Sequence, residues 1–179
     1  MASHLAVASV GPGYWEREML LTRRLKLMTL GGDAMGMETA IRVAFASSDR
    51  QRVDQHFGAA VSFVIHAIDS HRSSLVEVVQ FGPLHQDGNE DKLSVKIAAL
   101  EGCAAVYCEA IGTSAVNQLR IAGIQPVKVA SGTRVSEILA ALRQELRAGP
   151  SAWLARAVGA QRGRDTSRFD AMVAEGWRE

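Results

Sequence analysis

The chain has 179 residues, 22% of them charged, and twenty Lys and Arg against nineteen Asp and Glu leave a formal net charge of +1. With 47% hydrophobic residues it can bury a core, which excludes a disordered chain and a strongly basic nucleic-acid binder. No stretch approaches the roughly 18 consecutive apolar residues of a membrane span, so neither nucleic acid nor membrane is an expected partner.

Composition divides the chain into an N-terminal extension (1–39), a core (40–158) and a C-terminal tail (159–179). The extension is rich in Gly and Met. One amphipathic stretch, Trp15 to Met28, predicts at most one helix in an otherwise poorly ordered segment. The alternative is that translation starts at Met35 or Met37. The apolar patch Met19 to Leu21 is short and Arg23, Arg24 and Lys26 follow it, which is not a signal-peptide pattern. Cys103 and Cys108 are too few for a disulfide framework and read as reduced thiols of a cytoplasmic protein.

The core opens with Ile41 to Phe45, an alternating run that predicts a strand. Val61 to Ile68 predicts a second, with Val61, Phe63 and Ile65 on one face. Leu75 to Phe81 predicts a third, and short connections make the three an antiparallel meander. Asn89 then opens a helix carrying Leu93, Ile97 and Leu100, stopped by Gly102. Ala104 to Cys108 reads as a buried strand, Gly112 to Ala122 as a helix and Pro126 to Val129 as a strand. Val135, Ile138, Leu139, Leu142 and Leu146 draw the clearest amphipathic helix, ended by Gly149-Pro150. In the tail, QRGRDTSR reads as linker and FDAMVAEGW as a short docking helix. The order β-β-β-α-β-α-β-α predicts an α/β fold with a mixed five-stranded sheet flanked by helices.

Ligands in such folds bind beyond the carboxyl ends of parallel strands. That places Ser47, Ser48 and Asp49, Glu109 to Gly112, and Ala130 to Gly132 at the candidate site. In Val53-Asp54-Gln55-His56-Phe57-Gly58, His56 sits in a loop, where a neutral imidazole suits a transition metal, with Asp54 placed to orient the ring. A turn histidine that caps backbone groups is the competing reading. Thr113 and Ser114 open a helix and offer donors to an anion, with ordinary capping as the alternative. Arg50 and Arg52 flank the same end, and Lys92 is placed to approach it.

His85 is a second candidate ligand, on the third-strand loop, competing with a solvated role. The five-residue spacing of Cys103 and Cys108 predicts opposite faces of a strand, so the two are not expected to grip one metal. Two thiols also fall short of the four that hold an ordinary iron–sulfur cluster. Cys103 reads as core, and Cys108, nearer the carboxyl end, as a weaker metal-ligand candidate.

The runs IRVAFASSDRQRVDQHFGAA, FGPLHQDGNEDKLSVKIAALEGC and AVYCEAIGTSAVNQLRIAGIQPVKV, with the final PSAWLARAV, resemble the dinitrogenase iron–molybdenum cofactor biosynthesis family, and within it the NifX-type branch. The likeness spans about residues 40–158 and is most specific at VDQHFG. It implies a ribonuclease-H-like fold. It implies transient binding of the iron–sulfur precursor, or of the finished iron–molybdenum cofactor, as cargo. It implies partners among the cofactor assembly proteins, a cluster donor and a scaffold or acceptor. The family's exposed ligand-candidate histidine maps onto His56.

Two rival readings differ in class. A ribonuclease-H-type enzyme needs clustered carboxylates, but the first strand carries none, and twelve bases against eleven acids in 40–158 give no phosphate-binding excess. A regulatory interaction module of the assembly system would hold no cluster. The expectation is a carrier and not an enzyme.

Overall fold

The computed structural model describes residues 22–26, 40–82 and 89–175, with 89–91 and 164–175 as backbone. Its strands are β1 (Thr22–Lys26), β2 (Ile41–Ala46), β3 (Arg52–Val53), β4 (Ser62–Ile68), β5 (Ser73–Phe81), β6 (Cys103–Cys108), β7 (Gln125–Lys128) and β8 (Thr133–Arg134). Its helices are α1 (Asn89–Ala98), α2 (Thr113–Ile121), α3 (Val135–Ala148) and α4 (Ala152–Glu175).

The main sheet runs β1-β5-β4-β2-β6-β7. The meander β2, β4, β5 is antiparallel, and β2, β6 and β7 are parallel, as the alternation of strands and helices required. Among the described residues the fold is thus a mixed α/β sheet with four helices, and the sheet has six strands where five were expected. The sixth is β1, which pairs Thr22 with Phe81 and Lys26 with Glu77. This overturns the helix expected over Trp15 to Met28 within residues 22–26; the rest of that stretch lies outside the described residues. Four of the five β1 residues are exposed, so it has no buried stripe of its own. Its place depends on the edge that β5 offers.

The central strand β2 is buried on both faces, which explains its apolar run. One face joins Ala44, Phe63, Ile65, Val79 and Val106 to Leu100 and Leu119. The other joins Ile41, Val43, Phe45 and Tyr107 to Ile138, Leu139 and Leu142 of α3 and Leu154 of α4. Val61, expected in line with Phe63, stands outside β4 and is 51% exposed.

Two further expectations fail for local reasons. Cys103 and Cys108 pack in the same cluster. Arg42 pairs with Cys103 but Val43 pairs with Ala105, so Ala104 is an extra residue. Such a bulge shifts the strand's phase by one and returns both sulfurs to one face. In the tail, QRGRDTSR is helical backbone, and α4 runs unbroken through Glu175.

Among the described residues no helix is long and apolar enough to cross a membrane.

Candidate functional site

The segment after β2 turns sharply. The Asp49 carboxylate accepts the backbone N–H groups of Gln51 (2.7 Å) and Arg52 (2.8 Å). These bonds hold its pKa below the usual value. Ser47 Oγ accepts the Arg50 N–H at 2.9 Å and donates to Asp49. Arg50 can therefore sit at φ 67°, a left-handed backbone that costs a residue with a Cβ about 1 kcal/mol. The turn leaves Ser48, Arg50 and Arg52 exposed, while Ser47 is fully buried with its hydroxyl taken up inside the turn. Ser47 is thus placed to shape the site and not to touch a ligand.

Arg52 belongs to the ribbon β3–β8, opposite Arg134. Arg50, Arg52 and Arg134 line a cavity of about 420 Å³ with His66 at its wall. Ser48 and Arg50 line a second, of about 380 Å³, toward Gln80 and Phe81. His66 is half-buried, edge-on to Phe45 at 5.8 Å, and burial lowers its pKa, as suits a packed ring.

His56 sits apart from both cavities, on open surface, with its side chain 63% exposed. Its neighbour explains why. Phe57 is fully buried and stacks on Phe63 at 5.4 Å, so the chain turns His56 outward. The loop is stitched to the end of β6: Phe57 N–H donates to the Ala110 carbonyl (2.8 Å) and Glu109 N–H to the Gln55 carbonyl (3.0 Å). His56 thereby pairs in a bridge with Ala110, just ahead of α2. Thr113 and Ser114 are exposed on the first turn of that helix, whose cap residue Gly112 makes no side-chain capping bond. Ser114 Oγ accepts from Gln118 Nε2 at 3.3 Å.

Asp54 does not serve His56. Its carboxylate accepts the Ser48 N–H (2.9 Å) and the Ser48 hydroxyl. Glu109 stands near the imidazole instead, Oε1 to Nε2 3.9 Å. Spacing favoured Asp54, and only the crossover from β6 brings Glu109 in.

Cys108 is fully buried and burial pushes its thiol up to about 12, so it offers no thiolate to a ligand at neutral pH. Its candidacy as a ligand fails on access. His85 lies outside the described residues. Among the described residues no three His, Cys, Asp or Glu side chains gather to hold a metal ion.

Lys96 was not anticipated. On α1 it is 1% exposed, and its ammonium donates to the carbonyls of Phe57 (3.3 Å), Gly58 and Ala60 (2.9 Å). Burial lowers its pKa to about 8. It also lies over the Phe81 ring at 5.3 Å. The sequence signal was weak, a lysine between Val95 and Ile97 in a helix that carries other charges.

The dinitrogenase iron-molybdenum cofactor family profile matches residues 39–145. Protein NifX of Azotobacter vinelandii is 56% identical over 158 residues, 88% of this chain and 98% of that protein. Protein NifX of Herbaspirillum seropedicae is 39% identical over 122 residues, 68% of this chain and 84% of that protein. The FeMo cofactor biosynthesis protein NifB of Klebsiella pneumoniae is 31% identical over 118 residues, 62% of this chain and 25% of that protein. The chain belongs to the dinitrogenase iron–molybdenum cofactor family, in its NifX-type branch.

Proposed function

We propose that the chain binds the iron–sulfur precursor of the iron–molybdenum cofactor, or the finished cofactor, and passes it between assembly proteins. Family membership and the likeness to NifX and NifB support a role in iron–molybdenum cofactor biosynthesis. The observation that carries the finer reading is His56, an exposed imidazole on a backbone fixed by hydrogen bonds at the carboxyl end of the parallel strands. A preassembled anionic cluster needs no full ligand cage. One imidazole and the helix-terminal donors at Thr113 and Ser114 supply contact without permanent capture, and the Arg50 and Arg52 cations, on separate cavities at that end of the sheet, add longer-range attraction for an anion. A carrier needs such release, and no reaction on the cargo is invoked. The ribonuclease-H-like assignment, the cytoplasmic location and the donor and acceptor partners belong to the same reading.

Anaerobic titration of the purified chain with the iron–sulfur precursor tests it, with iron counted per protein after gel filtration. Stoichiometric co-eluting iron that is lost in His56→Ala supports the proposal. Iron that elutes separately from the wild type overturns it in favour of a regulatory module without a cluster.

A further inference from the structure

A larger cavity, about 490 Å³, opens at the other end of the sheet. The starts of β2, β6 and β7 form its floor and α4 its wall. A six-residue strand spans roughly 20 Å, so this cavity and His56 lie at opposite ends of the molecule.

Its lining is cationic. Arg42, Arg120 and Arg156 line it, with Trp153, Gln125 and Ile124 beside them, and among the described residues no Asp or Glu does. Among the described residues Arg120 and Arg156 have no carboxylate partner. Arg42 gives one nitrogen to Glu77 at 2.6 Å, while its buried Nε has no partner there. Glu77 balances Arg42 and the carboxyl-terminal dipole of α2 favours Arg120 in its last turn, which leaves Arg156 without either kind of compensation. Arg120 and Arg156 line one concavity without a carboxylate partner among the described residues, and an anion there would be attracted to both. Guanidinium forks match phosphate oxygens in pairs. The indole of Trp153 supplies a flat apolar wall against which a ring can stack. The volume falls in the range of small-ligand pockets, roughly 300–1,000 Å³.

We propose that this cavity binds a nucleoside phosphate, its phosphates on Arg120 and Arg156 and its base against Trp153. The site is independent of the His56 surface and of what that surface carries.

Isothermal titration of the full chain with ATP, pyrophosphate and adenosine, at fixed salt, tests it. The expected result is ATP binding at micromolar to submillimolar Kd, with pyrophosphate and adenosine each at least tenfold weaker. The double variant Arg120→Gln/Arg156→Gln should weaken ATP at least tenfold; both side chains are exposed, so its circular dichroism and Tm should match the wild type. His56→Ala should bind ATP as the wild type does. No heat with ATP at millimolar concentration overturns the proposal. So does equal binding by the double variant, or pyrophosphate binding as tightly as ATP.

Discussion

The Lys96 ammonium donates to the Ala60 carbonyl at 2.9 Å, tying helix α1 to the turn that follows His56. With Phe57 and Gly58 as further acceptors, one buried cation reaches three backbone carbonyls, two of them in buried bonds. Lys96→Met fills the space but takes a donor from all three carbonyls, of which Phe57 alone keeps another, the Ala60 N–H at 3.4 Å. An unsatisfied buried polar group costs about 1–3 kcal/mol, and partial relaxation of the turn puts the expected loss near 2 kcal/mol. Urea unfolding measures it. An unchanged midpoint would show that water takes over the three bonds.

Arg42 and Arg24 both meet Glu77, whose side chain is 2% exposed. Arg42 makes the short contact at 2.6 Å, and Arg24 stands at 3.4 Å and is 41% exposed. Removing the closer partner strands a buried carboxylate, so Arg42→Ala is expected to cost about 3 kcal/mol. Arg24→Ala should cost under about 1 kcal/mol, as exposed pairs do. Comparing the two urea midpoints decides whether Glu77 depends chiefly on Arg42.

Both thiols should be silent in the native protein. Cys103 and Cys108 are buried, and burial pushes each thiol up to about 12. With an aromatic disulfide reagent at pH 8, the folded chain is expected to release no chromophore on the minute timescale, and two equivalents once denatured. Fast reaction of one equivalent in the native state would contradict the placement of that cysteine.

Asp49 sets the acid response of the turn. Its amide partners lower its pKa in the folded chain below 3.8. A carboxylate with a depressed folded pKa stabilises the fold above its unfolded value, and that contribution is lost as pH falls through the folded value. The stability gap between wild type and Asp49→Ala should therefore be present at pH 7 and shrink below about pH 3.8. Chemical denaturation at the two pH values reads the gap. A gap that persists unchanged in acid would mean that the turn does not need the charge.

What the chain reveals before folding is mostly what periodicity carries. Ile138, Leu139 and Leu142 mark the face of α3, and Gly149, at φ 130°, ends it where expected. The apolar runs of β2 and β4 also hold as strands, because both pack on two apolar faces. The misses share a cause, which is dependence on a distant partner. TRRLK becomes a strand only because β5 has a free edge. The ribbon β3–β8 is two residues long on each side and exists by pairing across about eighty positions. Polar composition and glycine made 161–168 read as linker, whereas the backbone continues α4 without a break. At the candidate site, His56 is legible from its own neighbours, since a buried Phe57 forces it outward. Glu109 was placed at that end of the sheet, but its approach to His56 was not legible and neither was Lys96, because each reaches the loop from another element.

The extra residue at Ala104 bears on how this chain can change length. Losing one residue from the middle of a central strand ordinarily throws half of its side chains onto the wrong face. Here the opposite holds. Cys103 already faces the α1 and α2 side and Ala105 the α3 and α4 side, so deleting Ala104 joins two segments that alternate correctly. Because residue 105 is also alanine, losing either of the two gives the same chain, and within β6 that one-residue deletion leaves the inward and outward pattern intact. A library of one-residue deletions scanned along 103–108 should recover folded protein from the Ala104 deletion and lose it at Val106 and Tyr107.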